Sequence, residues 1–379
     1  MRICVPKEGR ADERRVALVP KDAAALAKKG ARVLVEAGAG LSAFFEDSQY
    51  SDSGAEIATR EEVYSSADLL LTVNGVPPSE AAAVNQTATV AGFLAPLDDP
   101  QALEAAAKHG QSLLSVEMIP RITRAQGMDA LSSMAMIAGY KAVLLAAQHA
   151  PCLFPLMMTA AGTLTPARVF VIGAGVAGLQ ALATARRLGA VVEGYDIRPE
   201  VKEQVESLGA TFVVLDIGME RTAGSGGYAA EQSKEFYRRQ QEALGDHLAG
   251  VDAIITTAAV PGRKAPMLLP EAITDRLRPG TVVVDLAAER GGNCALTVPG
   301  EVVVQDGVIV DGPLNLPSSV PAHASQMYSK NMLNLASLLI QNGQLHLDRD
   351  DEIVSGALVA HEGEVVHPAV QSALAASGA

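Results

Sequence analysis

Short apolar runs alternating with helix-patterned stretches along the whole chain predict an α/β fold with parallel sheets. Two further observations divide it in two. The chain has 379 residues, more than one core usually organises. Only its second half carries a glycine-rich turn set between a strand and a helix.

That turn lies in Arg168 to Asp196, RVFVIGAGVAGLQALATARRLGAVVEGYD, and organises a domain expected over residues 137–317. Val169–Ile172 reads as a buried parallel strand. Gly173-Ala174-Gly175-Val176-Ala177-Gly178 is G-x-G-x-x-G, an Ala/Leu-rich helix follows to Gly189, and Ala190–Tyr195 is a second strand ending on Asp196. Gly173 permits the tight turn, Gly175 lets a pyrophosphate approach the backbone, and Gly178 lets helix and strand pack closely. The helix N-terminus offers N–H groups and a positive dipole end to the phosphates. Asp196 stands where a carboxylate bonds the adenosine ribose hydroxyls and would repel a 2′-phosphate, which predicts NAD(H) in a Rossmann-like site. Ile197 and Arg198 adjoin it and complete the candidate set; Arg198 weakens that choice without reversing it.

The first domain is expected over residues 1–136 plus 318–379. Arg2–Pro6, Arg32–Glu36, Leu69–Val73, Thr89–Leu94 and Gln111–Val116 read as strands, and Pro20–Lys29, Ser79–Val84 and Gln101–His109 as helical. Ala37-Gly38-Ala39-Gly40 lacks the full glycine spacing and reads as a turn. Arg121–Ser133 is polar and leads into a helix through Ala150, with Asp129 placed as its N-cap. By residue type alone this segment reads equally as a solvated loop and as a binding surface. Past Asp196, Glu200–Leu208 reads as a helix and Thr211–Leu215 as a strand. Gly218–Tyr237 is a glycine-rich excursion with the character of a lid. Strands Val251–Thr256 and Thr281–Asp285 lead to Ala258–Gly262 and Ala287–Gly292, loops placed to touch the nicotinamide half of a dinucleotide. Ser325–Ile340 reads as a long amphipathic helix followed by a short tail. With the helix near 130–150 it is expected to cross between two Rossmann-like domains.

Composition excludes several functions. A net charge of −13 and a pI near 5.0 argue against a nucleic-acid partner. Cys4, Cys152 and Cys294 are too scattered for a disulfide framework or a zinc site, and no metal is expected. The N-terminus lacks a signal-peptide core. The apolar region Ala142–Leu164 is interrupted by Gln148, His149, Pro151 and Pro155, so a cytoplasmic protein is expected.

VPKEGRADERRVALVP, VLVEAGAG, RITRAQGMDALSSMAMIAGYKAV, VIGAGVAGLQA, GGYA, TTAAVPGRKAP and GPLNLPSSVPAHASQMYSKN resemble the NAD(H)-binding component of the proton-translocating nicotinamide nucleotide transhydrogenase, nearly end to end. Alanine dehydrogenases are similar in fold and in the ERRVALVP-like segment. The resemblance places Asn74 where those enzymes carry a lysine and Ala95 where they carry a histidine; Arg15 and Glu289 keep charges near the cleft. Reductive amination needs a titratable group in reach, whereas hydride transfer between two nicotinamides needs only positioning. The resemblance implies hydride transfer from NADH to NADP⁺ on a partner β subunit, coupled to proton translocation. It further implies a small membrane α subunit, a homodimer, and a peripheral location on the cytoplasmic face of the inner membrane. It assigns Arg121, Gln126, Asp129 and Ser132 to the hydride-transfer site, with Gln126 reaching towards NADP(H), Arg121 and Asp129 placing the NAD(H) nicotinamide as an ion pair, and Ser132 near its carboxamide. Gly227 and Tyr228 match a mobile loop closing over the nucleotide, and Ala259 the loop under the nicotinamide. The alternative is a soluble NAD-dependent amino- or 2-oxo-acid dehydrogenase using Glu289 or His323.

Overall fold

The computed structural model describes residues 1–215, 233–260 and 262–377. The chain forms two compact units, Met1–Met134 with Pro317–Ala379, and Ala135–Leu316.

In the first unit eight strands run in the order Glu364–Val365, Leu358–His361, Ser112–Ser115, Thr89–Phe93, Leu69–Asn74, Arg2–Val5, Arg32–Glu36, Glu56–Ala58. The last six named are mutually parallel. Leu69, Leu70 and Leu71 are fully buried, as expected of a strand covered on both faces. The helices begin where local chemistry starts them. Pro20 stands at the first turn of Pro20–Lys28, Thr59 and Glu62 form a capping box on Arg60–Ser66, and Asp99 caps Pro100–Ala107 through the Ala102 N–H. Part of the segment after Ile340, read as a short tail, extends the sheet. Leu358–His361 adds antiparallel to Ser112–Ser115 and turns back through Glu362 and Gly363, both at positive φ, into Glu364–Val365.

Helix Pro321–Leu339 starts four residues before its expected Ser325. Its polar residues hold the N-terminal segment. Ser325 and Ser329 accept the Val16 and Val19 N–H groups at 3.0 and 2.9 Å, and the Tyr328 hydroxyl donates to the Thr72 carbonyl at 2.7 Å. These bonds satisfy backbone groups that burial would otherwise leave unpaired.

In the second unit seven strands run Thr211–Phe212, Val191–Tyr195, Arg168–Ile172, Ala253–Thr256, Val282–Asp285, Val308–Asp311, Val302–Gln305. All are parallel except the last, which pairs antiparallel with Val308–Asp311 across Asp306 and Gly307, again both at positive φ. The chain leaves Arg168–Ile172 towards one edge and later continues from its other side, so this strand marks the topological switch point. The expected strand Thr211–Leu215 shortens to Thr211–Phe212. Among the described residues one helix, Ala130–His149, is long and apolar enough to cross a bilayer. Its Ala142, Val143 and Ala146 instead pack in one core with Val169 and Val171 of the sheet.

Candidate functional site

The glycine turn has the geometry its spacing predicts. Gly173 has φ +98°, and a Cβ there would stand 2.3 Å from Thr257 Oγ1. A Cβ on Gly178 would stand 1.7 Å from the Gly173 carbonyl oxygen, so only glycine lets the helix start here. Gly175 is the opposite case: a Cβ would meet nothing within 4 Å, which leaves an open cradle over the backbone. Helix Val176–Arg187 begins immediately after it. Room for a phosphate and free helix-terminal N–H groups fit a dinucleotide pyrophosphate.

Asp196 is buried at the end of Val191–Tyr195. Its Oδ2 accepts the Ala174 N–H at 2.7 Å, tying the acid to the glycine turn. Arg198 grips the same carboxylate, with Nε 2.9 Å from Oδ1 and a terminal nitrogen 2.8 Å from Oδ2, and its own N–H adds a further bond at 2.9 Å. That pairing raises the Arg198 pKa. Any hydroxyl group that bonds this carboxylate would share or displace these contacts. Ile197 packs against the core formed by Ile172, Tyr195 and Phe236.

Ala259 follows a tightly held neighbour. The Asn293 side chain accepts the Ala258 N–H at 3.1 Å and donates to the Ala258 and Pro266 carbonyls at 2.8 Å each. Asn293 is itself held by Asp285, whose Oδ2 accepts its N–H at 2.6 Å. Sequence reasoning picked out the loops and missed these two anchors. Gly227 and Tyr228 lie outside the described residues.

In the first unit, Asp129 closes on its own helix. Its Oδ1 accepts the Ser132 N–H at 2.8 Å and its Oδ2 accepts the Ser132 hydroxyl at 2.6 Å, so two of the candidate residues form one cap. Asp129 is thus held by Ser132. Gln126 is exposed on the short helix Thr123–Met128, and Arg121 is exposed just before it. Asn331 and Asn334 pin this loop from below by donating to the Gly127 carbonyl at 3.0 and 2.7 Å, and Arg124 pairs with Asp351 at 2.6 Å. The polar segment is therefore tied to the rest of its unit by these bonds.

At the ends of the neighbouring strands, Asn74 donates to Glu13 at 3.0 Å, and Glu13 holds Arg15 bidentately at 2.6 and 2.7 Å. The Arg15 pairing and the Asn74 bond hold the buried Glu13 carboxyl below its usual range despite burial. Burial pushes Glu8 up to about 7, against the N–H bonds from Val73 and Asn74. Ala95 sits at φ +48°, its N–H donated to Glu117 at 2.8 Å. His323 is exposed, while Glu289 accepts the Asn315 N–H at 2.8 Å.

A glycine turn shaped for a dinucleotide, set between strand and helix of a parallel sheet, defines a Rossmann-like α/β protein, and the chain belongs to the alanine dehydrogenase/PNT family. The model of that family's N-terminal domain matches residues 4–138 and that of its C-terminal domain residues 142–368. Within the family the chain is similar to an NAD(P) transhydrogenase subunit alpha polypeptide of Rhodospirillum rubrum, at 44% identity over 98% of this chain and 99% of that one. It superimposes on a transhydrogenase from Sinorhizobium meliloti with a TM-score of 0.87 and 40% identity, covering 97% of this chain and 100% of that one. An L-alanine dehydrogenase gives a TM-score of 0.84 at 26% identity, covering 99% of each chain. The two-unit α/β fold is shared by both; the higher identity lies with the transhydrogenases. Family and site together support NAD(H) as the cofactor.

Proposed function

We propose that this chain is the NAD(H)-binding component of a proton-translocating nicotinamide nucleotide transhydrogenase, presenting NADH for direct hydride transfer to NADP⁺ on a partner chain. The observation that carries the proposal is the 44% identity to a transhydrogenase alpha subunit across 98% of the chain. The site supports it. Gly175 and the helix N-terminus would hold the pyrophosphate, Asp196 the adenosine ribose, and the Thr257–Ala259 segment the nicotinamide end. Ser132, fixed by Asp129, would orient the carboxamide, and Arg121 and Gln126 face solvent, where a partner's nucleotide can be met. The dihydronicotinamide supplies the hydride, and positioning with exclusion of water is the protein's part.

In this reading the proton passes through membrane chains, and the present chain is peripheral on the cytoplasmic side. The alternative amino-acid dehydrogenase needs a proton donor at the strand ends where Asn74 and Ala95 stand. Neither side chain titrates, and the candidates left for that role are Glu289, which accepts the Asn315 N–H, and the exposed His323. We also propose a homodimer, supported by the exposed apolar hairpin Met157–Thr159 and Gly162–Leu164.

The test mixes the purified chain with an NADP(H)-binding component and follows hydride exchange between NADH and an NADP⁺ analogue. Exchange that requires both chains supports the proposal. Turnover by this chain alone with NADH, pyruvate and ammonia overturns it.

A further inference from the structure

One buried carboxylate outside the glycine turn gathers an unusual set of donors. Asp285 is fully buried at the end of Val282–Asp285. Its Oδ1 accepts Thr256 Oγ1 at 2.8 Å and the Ala287 N–H at 2.9 Å. Its Oδ2 accepts the Asn293 N–H at 2.6 Å, Thr297 Oγ1 at 2.6 Å and the Cys294 N–H at 3.2 Å. Gly292, at φ +77°, makes this approach possible, since a Cβ there would stand 2.8 Å from Asp285 Oδ2. A carboxyl group that accepts five hydrogen bonds fixes the loop after its strand.

The contacts continue towards the dinucleotide turn. Asn293, held by Asp285, fixes both the N–H and the carbonyl of Ala258. Thr257, one residue earlier, donates from Oγ1 to the carbonyls of Gly173 at 3.0 Å and Ile172 at 3.2 Å. The segment entering Ala259 is thus held at one end by the glycine turn and at the other by the Asp285 hub. It leaves the strand beside the switch point, on the side opposite Val191–Tyr195 and Asp196. In this topology Asp196 marks the adenosine half and the opposite side receives the nicotinamide half.

We propose that Asp285, acting through Asn293, is a positioning residue that sets how firmly the nicotinamide end of NAD(H) is held, independently of the ADP-ribose end. The inference rests on the NAD(H) reading above. It specifies more than that reading, because it divides the binding free energy between two sets of residues.

The experiment compares the affinities of NADH and ADP-ribose for the wild-type chain and for Asn293→Ala, Asp285→Asn and Thr297→Val. An Asn at 285 turns an N–H against groups that are all donors. Asn293→Ala and Asp285→Asn are expected to weaken NADH by about tenfold or more, the scale of a lost buried hydrogen bond, and ADP-ribose by less than about threefold. Thr297→Val removes one donor and is expected to give a smaller loss, again confined to NADH. Near-UV circular dichroism checks folding; if Asp285→Asn fails to fold, the other two variants decide. Equal losses for both ligands, or no loss for NADH, overturn the proposal. A wild-type chain that binds neither ligand removes the nucleotide reading and the proposal with it, an outcome distinct from parallel losses in the variants.

Discussion

Gln126 and Asp129 share a short loop but are built for different work. Asp129 is consumed in capping its own helix through Ser132, whereas the Gln126 side chain is exposed on a platform pinned by Asn331 and Asn334. On the proposed function, a side chain exposed on this hydrogen-bonded support would act on a partner's nucleotide. Gln126→Asn is therefore expected to slow hydride transfer by an order of magnitude or so, about 1.4 kcal/mol, while leaving NADH affinity nearly unchanged. Stopped-flow transfer rates beside NADH titration check this, and equal losses in both would make Gln126 an ordinary binding residue. Glu8 gives a prediction of another kind. Burial raises its pKa from 4.5 to about 7, so folding favours the protonated acid. Its contribution is full below the unfolded pKa and is lost as pH rises through about 7. The loss is on the order of 3 kcal/mol for a shift of this size. Glu8→Gln, fixed in a neutral form, should flatten the dependence of melting temperature on pH between roughly 5 and 7.5. Parallel pH profiles for variant and wild type would show that Glu8 does not titrate in that window.

At the scale of elements, the strand–turn–helix unit from Arg168 to Asp196 makes two glycines serve opposite ends. Gly178→Ala would drive a methyl into the Gly173 carbonyl, so a loss of about 2 kcal/mol or more in stability is expected, seen as a lowered melting temperature. Gly175→Ala places its methyl in open space, so stability should hold while NADH affinity falls, as titration would show. The reverse pattern would exchange the assigned roles. This unit was legible in sequence because each part leaves a local mark: a β-branched run, fixed glycine spacing, a terminal acid. The hairpin Leu358–His361 to Glu364–Val365 left only a Glu-Gly turn between runs of four and two residues, too short to show a period. Val302–Gln305 and Val308–Asp311 were missed for the same reason, their Asp-Gly turn being the one clue. The anchoring by Asp285 and Asn293 was illegible because a satisfied buried acid has the same letter as a solvated one. Only the donors converging on it, from Thr256 to Thr297, distinguish the two. The Asn331 and Asn334 clamp on Gly127 joins residues some 200 positions apart, beyond the reach of any local pattern.

For the whole molecule, a net charge of −13 opposes non-specific association and makes an exposed apolar projection informative. The hairpin Met157–Leu164 is such a projection. Met158 is 75% exposed, Leu164 and Leu156 53% each and Met157 45%, in a segment whose two strands pair only with each other. Isolated two-stranded hairpins are marginal in water, so this one gains most by burying its face on another surface. A second copy is the simplest such surface, because a two-fold axis uses the same patch twice. The symmetry also sets the size of the effect. Burying one methionine side chain stabilises by about 1.5–3 kcal/mol, and a symmetric dimer buries two. In the proposed dimer Met158→Asp replaces both with carboxylates, so the dissociation constant should rise by a factor of about 10² to 10⁴. Sedimentation velocity across a dilution series reads this directly. A shift to monomer with an unchanged melting profile for the fold places the hairpin at the dimer contact. A dimer of undiminished affinity would remove the hairpin from that role and leave its exposed methionines to a different partner.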